Sequence, residues 1–451
     1  MLKLLKNRPP WTWAAVVAVL TFVCHLIFGV WFWTKSPTGA PKTSLSLSGT
    51  AYLETYPTWN TDQEADGAFY NRGALTALQT GVPRTRSGMF FEHAPLYAYF
   101  VTACYKLGGF RLLALAIPQA LLSGITSLLL GLCAIRLAPQ CAAVAGAVAS
   151  SLILISLHFA GFTGYPSPTT LLLFLFALAF WAVVTSPSGR VKPVFYMALA
   201  LGVYVQAAFF VVVFAAVVWG ALLFWRQRSK AVLLGSALLL VAALAKPLIA
   251  FSVDRRVETH SKEGPTAVLW EANNPYYESM SIFSLWERRP GNTWSKWKLT
   301  ADQEKRYNDY LARADGKETR AAILWIRENP GQYLKLCVVR LRAALGPITA
   351  QMSPLNKKIC LVWWLLVFPS GALGLWRFRR SPLVWLAVCI IVFESGFESL
   401  ILAGWQPRYR LPIDLMLVVF AGVVYAGWAA RWVTRRGDGL LAADSKVAPV
   451  R

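Results

Sequence analysis

The chain has 451 residues, of which 56% are hydrophobic and only 15% charged, and its apolar residues fall in long unbroken runs. Such runs, in place of the amphipathic stripes of soluble helices, describe a polytopic all-α membrane protein and exclude soluble folds. The net charge of +23 does not imply nucleic acid, because the basic residues flank apolar runs and form no basic face with interleaved aromatics.

A bilayer core takes about 20 apolar residues per helix, and about ten stretches of this chain meet or approach that length. The first covers residues 11–33. Lys3, Lys6 and Arg8 precede it without a small-residue cleavage site, which reads as a retained signal anchor with a cytoplasmic amino terminus. The polar stretch 60–99 then lies outside. Its pattern predicts one helix that ends near Gly81 and a second that begins at Pro95, since proline suits a first helical turn.

Spans two to four are expected near residues 111–137, 140–159 and 168–185. The next apolar run, 194–225, is too long for one span and too short for two full ones, so its interruption at Gln206 predicts two short helices. Span seven covers about 231–251. The polar segment 252–358, rich in Trp, Tyr, Asn and Pro, is long enough for a small external domain. Within it, 319–345 is amphipathic, with a helix start at Pro330 and with Arg327, Lys335, Arg340 and Arg342 available to lipid phosphates. Three further spans, near 359–376, 383–403 and 409–432, complete the count. Basic turns at 377–380 and 431–436 fall where that count needs cytoplasm. The expected divisions are 1–251, with a catalytic first loop at 34–110, then 252–358, then 359–451.

Seven cysteines, Cys24, Cys104, Cys133, Cys141, Cys337, Cys360 and Cys389, include no CxxC pair and read as packing residues. Asp66 has two readings: a helix cap, or a carboxylate partly desolvated at the membrane surface that accepts a proton from a hydroxyl. Asp62 and Glu64 could join it in holding a divalent cation, the one cofactor the residues suggest. His93 could bond a phosphate or orient Asp66, and Tyr70 and Tyr97 read as interfacial anchors able to donate to phosphate. Arg408 and Arg410 stand at the boundary of the last span, where arginine either snorkels or steadies a departing phosphate. Glu394 and Glu398, four apart in span nine, share a helix face and need partners, for which Arg408 or Arg410 or a polar cavity is expected.

Three segments, Asp66-Gly67-Ala68-Phe69-Tyr70, Phe91-Glu92-His93-Ala94-Pro95-Leu96-Tyr97 and Pro407-Arg408-Tyr409-Arg410-Leu411-Pro412, resemble the bacterial family 39 glycosyltransferases. That group contains protein O-mannosyltransferase-like enzymes and the aminoarabinose transferase of lipid A. The resemblance runs along nearly the whole chain in order. It implies a GT-C fold and inverting transfer from a polyprenyl-phosphate sugar to an acceptor hydroxyl at the outer face of the cytoplasmic membrane. By the same resemblance Asp66 is the base, His93, Arg408 and Arg410 lie at the donor phosphate, and Asn273-Asn274-Pro275 is the asparagine-rich segment near the site.

Gly67 and Phe69 depart from the family pattern, and Gln206 stands where a lysine is common. Phosphate binding then falls to Tyr70, Lys246, Arg255 and Arg256 as well. Asp62, Glu92, Tyr97, Asn273, Asn274 and Glu398 are the acceptor or pocket positions. The expected partners are the polyprenyl-phosphate sugar, a lipid, protein or glycan acceptor, and membrane lipids. The rival functions are a lipid-linked glycan flippase or transporter, and an oligosaccharide ligase.

Overall fold

The computed structural model describes residues 8–35, 66–84, 95–109, 112–164, 166–186, 191–254, 269–270, 272–275, 301–347, 353–401 and 407–444. Among them secondary structure is entirely helical. Helix α1 (Trp11–Lys35) is followed by the loop helices α2 (Asp66–Thr80) and α3 (Pro95–Gly108). Next come α4 (Leu112–Leu137), α5 (Ala142–Leu154), the short α6 (Leu157–Gly161), α7 (Thr169–Val184) and α8 (Pro193–Val205). Helices α9 (Phe210–Gln227) and α10 (Lys230–Asp254) lead to a polar group of three, α11 (Ala301–Arg313), α12 (Glu318–Glu328) and α13 (Pro330–Leu345). The chain closes with α14 (Pro354–Arg377), α15 (Pro382–Leu400) and α16 (Pro407–Asp444).

Six of these segments are long and apolar enough to cross a membrane, those of α1, α4, α9, α14, α15 and α16, and α5, α7 and α8 are shorter apolar helices. With α10, whose 25 residues carry Lys246, they account for the expected spans. The chain is a multi-pass, all-α membrane protein. Helix α16 forms the axis: from Arg410 to Val424 every residue is buried, which suits a helix that is apolar all round. It packs on α14, α5, α4, α15 and α7, whereas α1 lies outermost against α4 and α5.

The break inside the 194–225 run falls at Gln206, as its polarity predicts. Gln206 is extended (φ −152°, ψ 129°), a 3-10 turn covers Ala207–Phe209, and α9 then begins. Phe209 folds back onto Gly202, where even a Cβ would come within 2.3 Å of the ring. The missing side chain makes room for the turn. Lys246 Nζ donates to the Val203 carbonyl at 2.9 Å, satisfying an acceptor in the last turn of α8 where intrahelical donors run out.

The third span ends earlier than expected. Residues 140–159 read as one helix, but α5 stops at Leu154 and Ser156 is extended before α6. Side chains from other helices take the carbonyls near this end: Trp363 Nε1 donates to Leu152 O at 2.7 Å and His25 Nε2 lies 3.2 Å from Leu154 O. These bonds offset the loss of the next helical turn.

The loop helices start and stop where the sequence implies. Helix α2 opens at Asp66 and closes at Gly81, whose φ is +80°, the left-handed conformation that glycine adopts without penalty. Pro95 is the first residue of α3. In the polar group, Asn329 breaks the amphipathic stretch into α12 and α13. Trp270, Tyr310, Trp325 and Leu336 form a separate small core there. Arg313 and the Tyr310 hydroxyl both donate to Glu328, Tyr310 at 2.8 Å. The Arg313 bond, ahead of the Tyr310 bond, holds the Glu328 carboxyl below the ordinary carboxylate range.

Candidate functional site

The last span brings two arginines to its first turn, with different surroundings. Arg408 is half-buried, its guanidinium 5.1 Å from the Tyr409 ring centroid and within 3.3 Å of the Tyr409 hydroxyl. Arg410 is 3% exposed. Its Nε donates to both carboxylate oxygens of Asp414, at 3.1 and 3.0 Å, and its Nη1 donates to the Gly346 carbonyl just after α13. Among the described residues Nη2 is buried with no hydrogen-bond partner. A guanidinium fixed on two sides with its third nitrogen unspent presents a preset donor to an anion.

Other polar groups collect around this arginine. Arg410 lies within electrostatic reach of Glu398, His158 and Cys360, and His158 Nε2 is 3.8 Å from Cys360 Sγ. Glu394 and Glu398 are both buried on α15. Arg408 or Arg410, or a polar cavity, is the expected partner of these glutamates; among the described residues Arg410 forms its ion pair with Asp414, on its own helix, while Glu398 lies within the field of Arg410. The i,i+4 spacing of Arg410 and Asp414 was the signal that could have found the pair.

Arg340 is a second correction. It was expected to face lipid phosphates, but it is 4% exposed and donates to Asn273 Oδ1 at 3.1 Å, to Ser399 O at 3.4 Å and to Ala272 O. A buried guanidinium needs its donors filled, and the backbone of the asparagine segment fills them. Arg327, Lys335 and Arg342 are exposed as expected. Asn273 and Asn274 are buried, with their amides donating to Leu269 O and Trp270 O at 3.0 and 2.7 Å. Helix α13 thus joins the two parts: Arg340 holds the asparagine segment, and Gly346 at its end receives Arg410.

In the first loop, Tyr70 and Tyr97 meet edge to face with centroids 4.8 Å apart, and both are buried. Tyr97 donates to Gln119 Oε1 at 2.9 Å, Gln119 Nε2 donates to Thr163 O at 3.0 Å, and Thr163 donates to His25 O at 2.9 Å. The segment 158–163 therefore touches both neighbourhoods, through Thr163 to the loop helix and through His158 toward Arg410. Tyr105 donates to Asn71 Oδ1 at 2.7 Å, and among the described residues Asn71 Nδ2 is buried and unfilled.

Asp62, Glu64, Glu92, His93, Arg255 and Arg256 lie outside the described residues, and Asp66 is described only as the first residue of α2. Lys246 is engaged with the Val203 carbonyl.

No protein-family model and no curated protein matches the chain. Among solved structures the chain is similar to ArnT. The structure of ArnT from Cupriavidus metallidurans bound to undecaprenyl phosphate is 15% identical with a TM-score of 0.47, over 84% of this chain and 59% of that chain. The apo state of ArnT from the same organism gives 14% identity and a TM-score of 0.35, over 80% and 73%. This chain thus spans less than two thirds of the first of these structures.

Sequence reasoning missed Gln119, Asn71, His158 and Asp414. Gln119, His158 and Asp414 sit in apolar helices, where a single polar residue reads as tolerated, whereas Asn71 sits among other polar residues of the loop helix α2. Buried polar groups of this kind are nonetheless costly and mark a polar interior.

Proposed function

We propose that the chain is a GT-C glycosyltransferase that moves a sugar from a polyprenyl-phosphate donor to an acceptor hydroxyl at the outer face of a cytoplasmic membrane. The single observation that carries this reading is the unfilled Nη2 of the buried Arg410, braced by Asp414 and Gly346. Buried polar groups generally have a hydrogen-bond partner, in protein, water or ligand, and a lipid phosphate is an anion within reach of a helix start at a membrane boundary. The family resemblance of the three quoted segments supplies the rest.

In this reading Asp66 accepts the proton of the acceptor hydroxyl as its oxygen attacks the anomeric carbon. The bond between that carbon and the phosphate oxygen breaks, with inversion, and polyprenyl phosphate leaves carrying the negative charge. Arg410, with Arg408 beside it, stabilises that charge. His93, Tyr70, Arg255 and Arg256 are further candidates for the phosphate, and Asn273 and Asn274 for the pocket wall.

The test is thermal stabilisation of the purified protein by polyprenyl-phosphate sugars, with free polyprenyl phosphate and nucleotide sugars for comparison. Selective stabilisation by a lipid-linked sugar, lost in Arg410→Lys, is the expected result. A protein that responds to no lipid phosphate, or equally to nucleotide sugars, sinks the reading and moves the transporter ahead of it, for which the buried Glu394 and Glu398 would be the ion-carrying groups.

A further inference from the structure

The end of the bundle away from Arg410 holds a cavity. Helix α15 starts at Pro382 and reaches Ser399 beside Arg340, and 19 helical residues at 1.5 Å each separate its ends by about 28 Å. At its Pro382 end, where α9 terminates alongside, lies a cavity of ≈ 420 Å³ lined by Trp219, Trp225, Arg226, Pro382 and Trp385 with two leucines of α9. The indole of Trp219 donates to the Pro382 carbonyl at 2.8 Å, which ties the two helices together at the base of the cleft. Trp225, Arg226 and Trp385 are exposed.

Two basic turns flank this cleft. One carries Arg226, Arg228 and Lys230, the other Arg377, Arg379 and Arg380, and neither the stretch 225–231 nor 376–382 contains an acidic residue. Arg228 ends α9 with φ +54°, in the left-handed region where glycine is cheaper. A cation thus occupies a conformation that costs a non-glycine residue, and such strain is a feature of functional positions. Tryptophans with apolar walls below and cations above match an acyl chain joined to a phosphate.

We propose that this cleft binds one anionic phospholipid of the surrounding membrane, its acyl chain along Trp219 and Trp385 and its phosphate at Arg226, with Arg228 adding attraction. Any lipid can fill an apolar groove; charge selectivity is what separates a site from ordinary solvation. The site is independent of whatever Arg410 binds.

The experiment is native mass spectrometry of the full chain released from mixed bilayers of phosphatidylglycerol and phosphatidylcholine with identical acyl chains. The wild type should retain phosphatidylglycerol in preference, and Arg226→Gln with Arg228→Gln should lower that preference by roughly fivefold per cation removed. Equal retention of the two lipids by the wild type overturns the proposal, and so does a preference that survives in the double variant. Should the double variant fail to purify, the wild-type competition decides alone, repeated at rising salt before release, where a charge-selected lipid loses its preference.

Discussion

Arg410 and Asp414 form a buried ion pair one helical turn apart, with the arginine Nε shared between both carboxylate oxygens and the two side chains 4% and 1% exposed. The carboxylate turns the guanidinium so that Nη1 meets Gly346 and Nη2 stays unspent. Removing one partner strands a charge, which costs about 3–5 kcal/mol where the pair is fully desolvated. Asp414→Ala should therefore lower the thermal unfolding temperature markedly. Asp414→Asn, which keeps the shape, should fold better yet bind polyprenyl phosphate more weakly than the wild type. Equal lipid affinity in Asp414→Asn would leave Asp414 without a positioning role.

Lys246 separates a structural from a ligand-binding lysine. Its amine satisfies the Val203 carbonyl beside the Gln206 break, and an unsatisfied buried acceptor costs about 1–3 kcal/mol. Lys246→Met should destabilise the protein by that order in a thermal scan while leaving lipid-phosphate affinity within twofold of wild type, roughly what a residue without ligand contact allows. A large loss of affinity with unchanged stability would instead return Lys246 to the phosphate.

Arg340 donates to Asn273 Oδ1 and Ala272 O of the asparagine segment and to Ser399 O at the end of α15. Arg340→Met removes these bonds at once and takes the Arg340 donor from the Ala272 carbonyl, so residues 269–270 and 272–274 should exchange amide hydrogens faster than in the wild type. The separate core around Trp325 is packed by other residues and should keep its protection. If both regions loosen together, Arg340 supports the whole polar group and not the asparagine segment in particular.

The sequence shows helices more readily than sites. Proline and glycine punctuation marked the starts of α3 and α13 and the end of α2, and the single polar Gln206 was enough to split α8 from α9, because backbone constraints are local. The end of α5 was not legible, since Trp363 and His25 come from far along the chain to take its carbonyls. Arg340 misled for the same reason. Its spacing on an amphipathic helix resembles a lipid-facing cation, and only the folded chain brings Ala272 and Asn273 against it. Arg410 was legible as a candidate, whereas Asp414 was hidden by its position inside an apolar span.

The polar helices carry a pH dependence of their own. Glu328 accepts from Arg313 and Tyr310, and its carboxyl is held below the ordinary value of 4.5. A depressed carboxylate contributes stability that is present above the unfolded pKa and is lost as pH falls through the folded one. Amide protection across α11 and α12 should hold at neutral pH and decline below about pH 4.5. Because Glu328 is 41% exposed, solvent screening keeps the effect small. In Glu328→Gln the decline attributable to this group should vanish; an unchanged profile would assign it to other carboxylates.

Asp66 opens α2, a position that suits a helix cap and a catalytic base alike, so the test must separate the two. A cap lost to alanine typically costs about 1 kcal/mol, whereas asparagine caps as well as aspartate. Asparagine, however, accepts no proton. Asp66→Asn should then unfold at the wild-type temperature and bind lipid phosphate as the wild type does, with sugar transfer reduced by roughly a hundred- to ten-thousandfold, the usual share of a general base. Asp66→Ala should add a loss of stability to the same loss of transfer. Turnover retained in Asp66→Asn would leave the carboxylate as a cap and send the search for the base to the acidic residues beside it, Asp62 and Glu64.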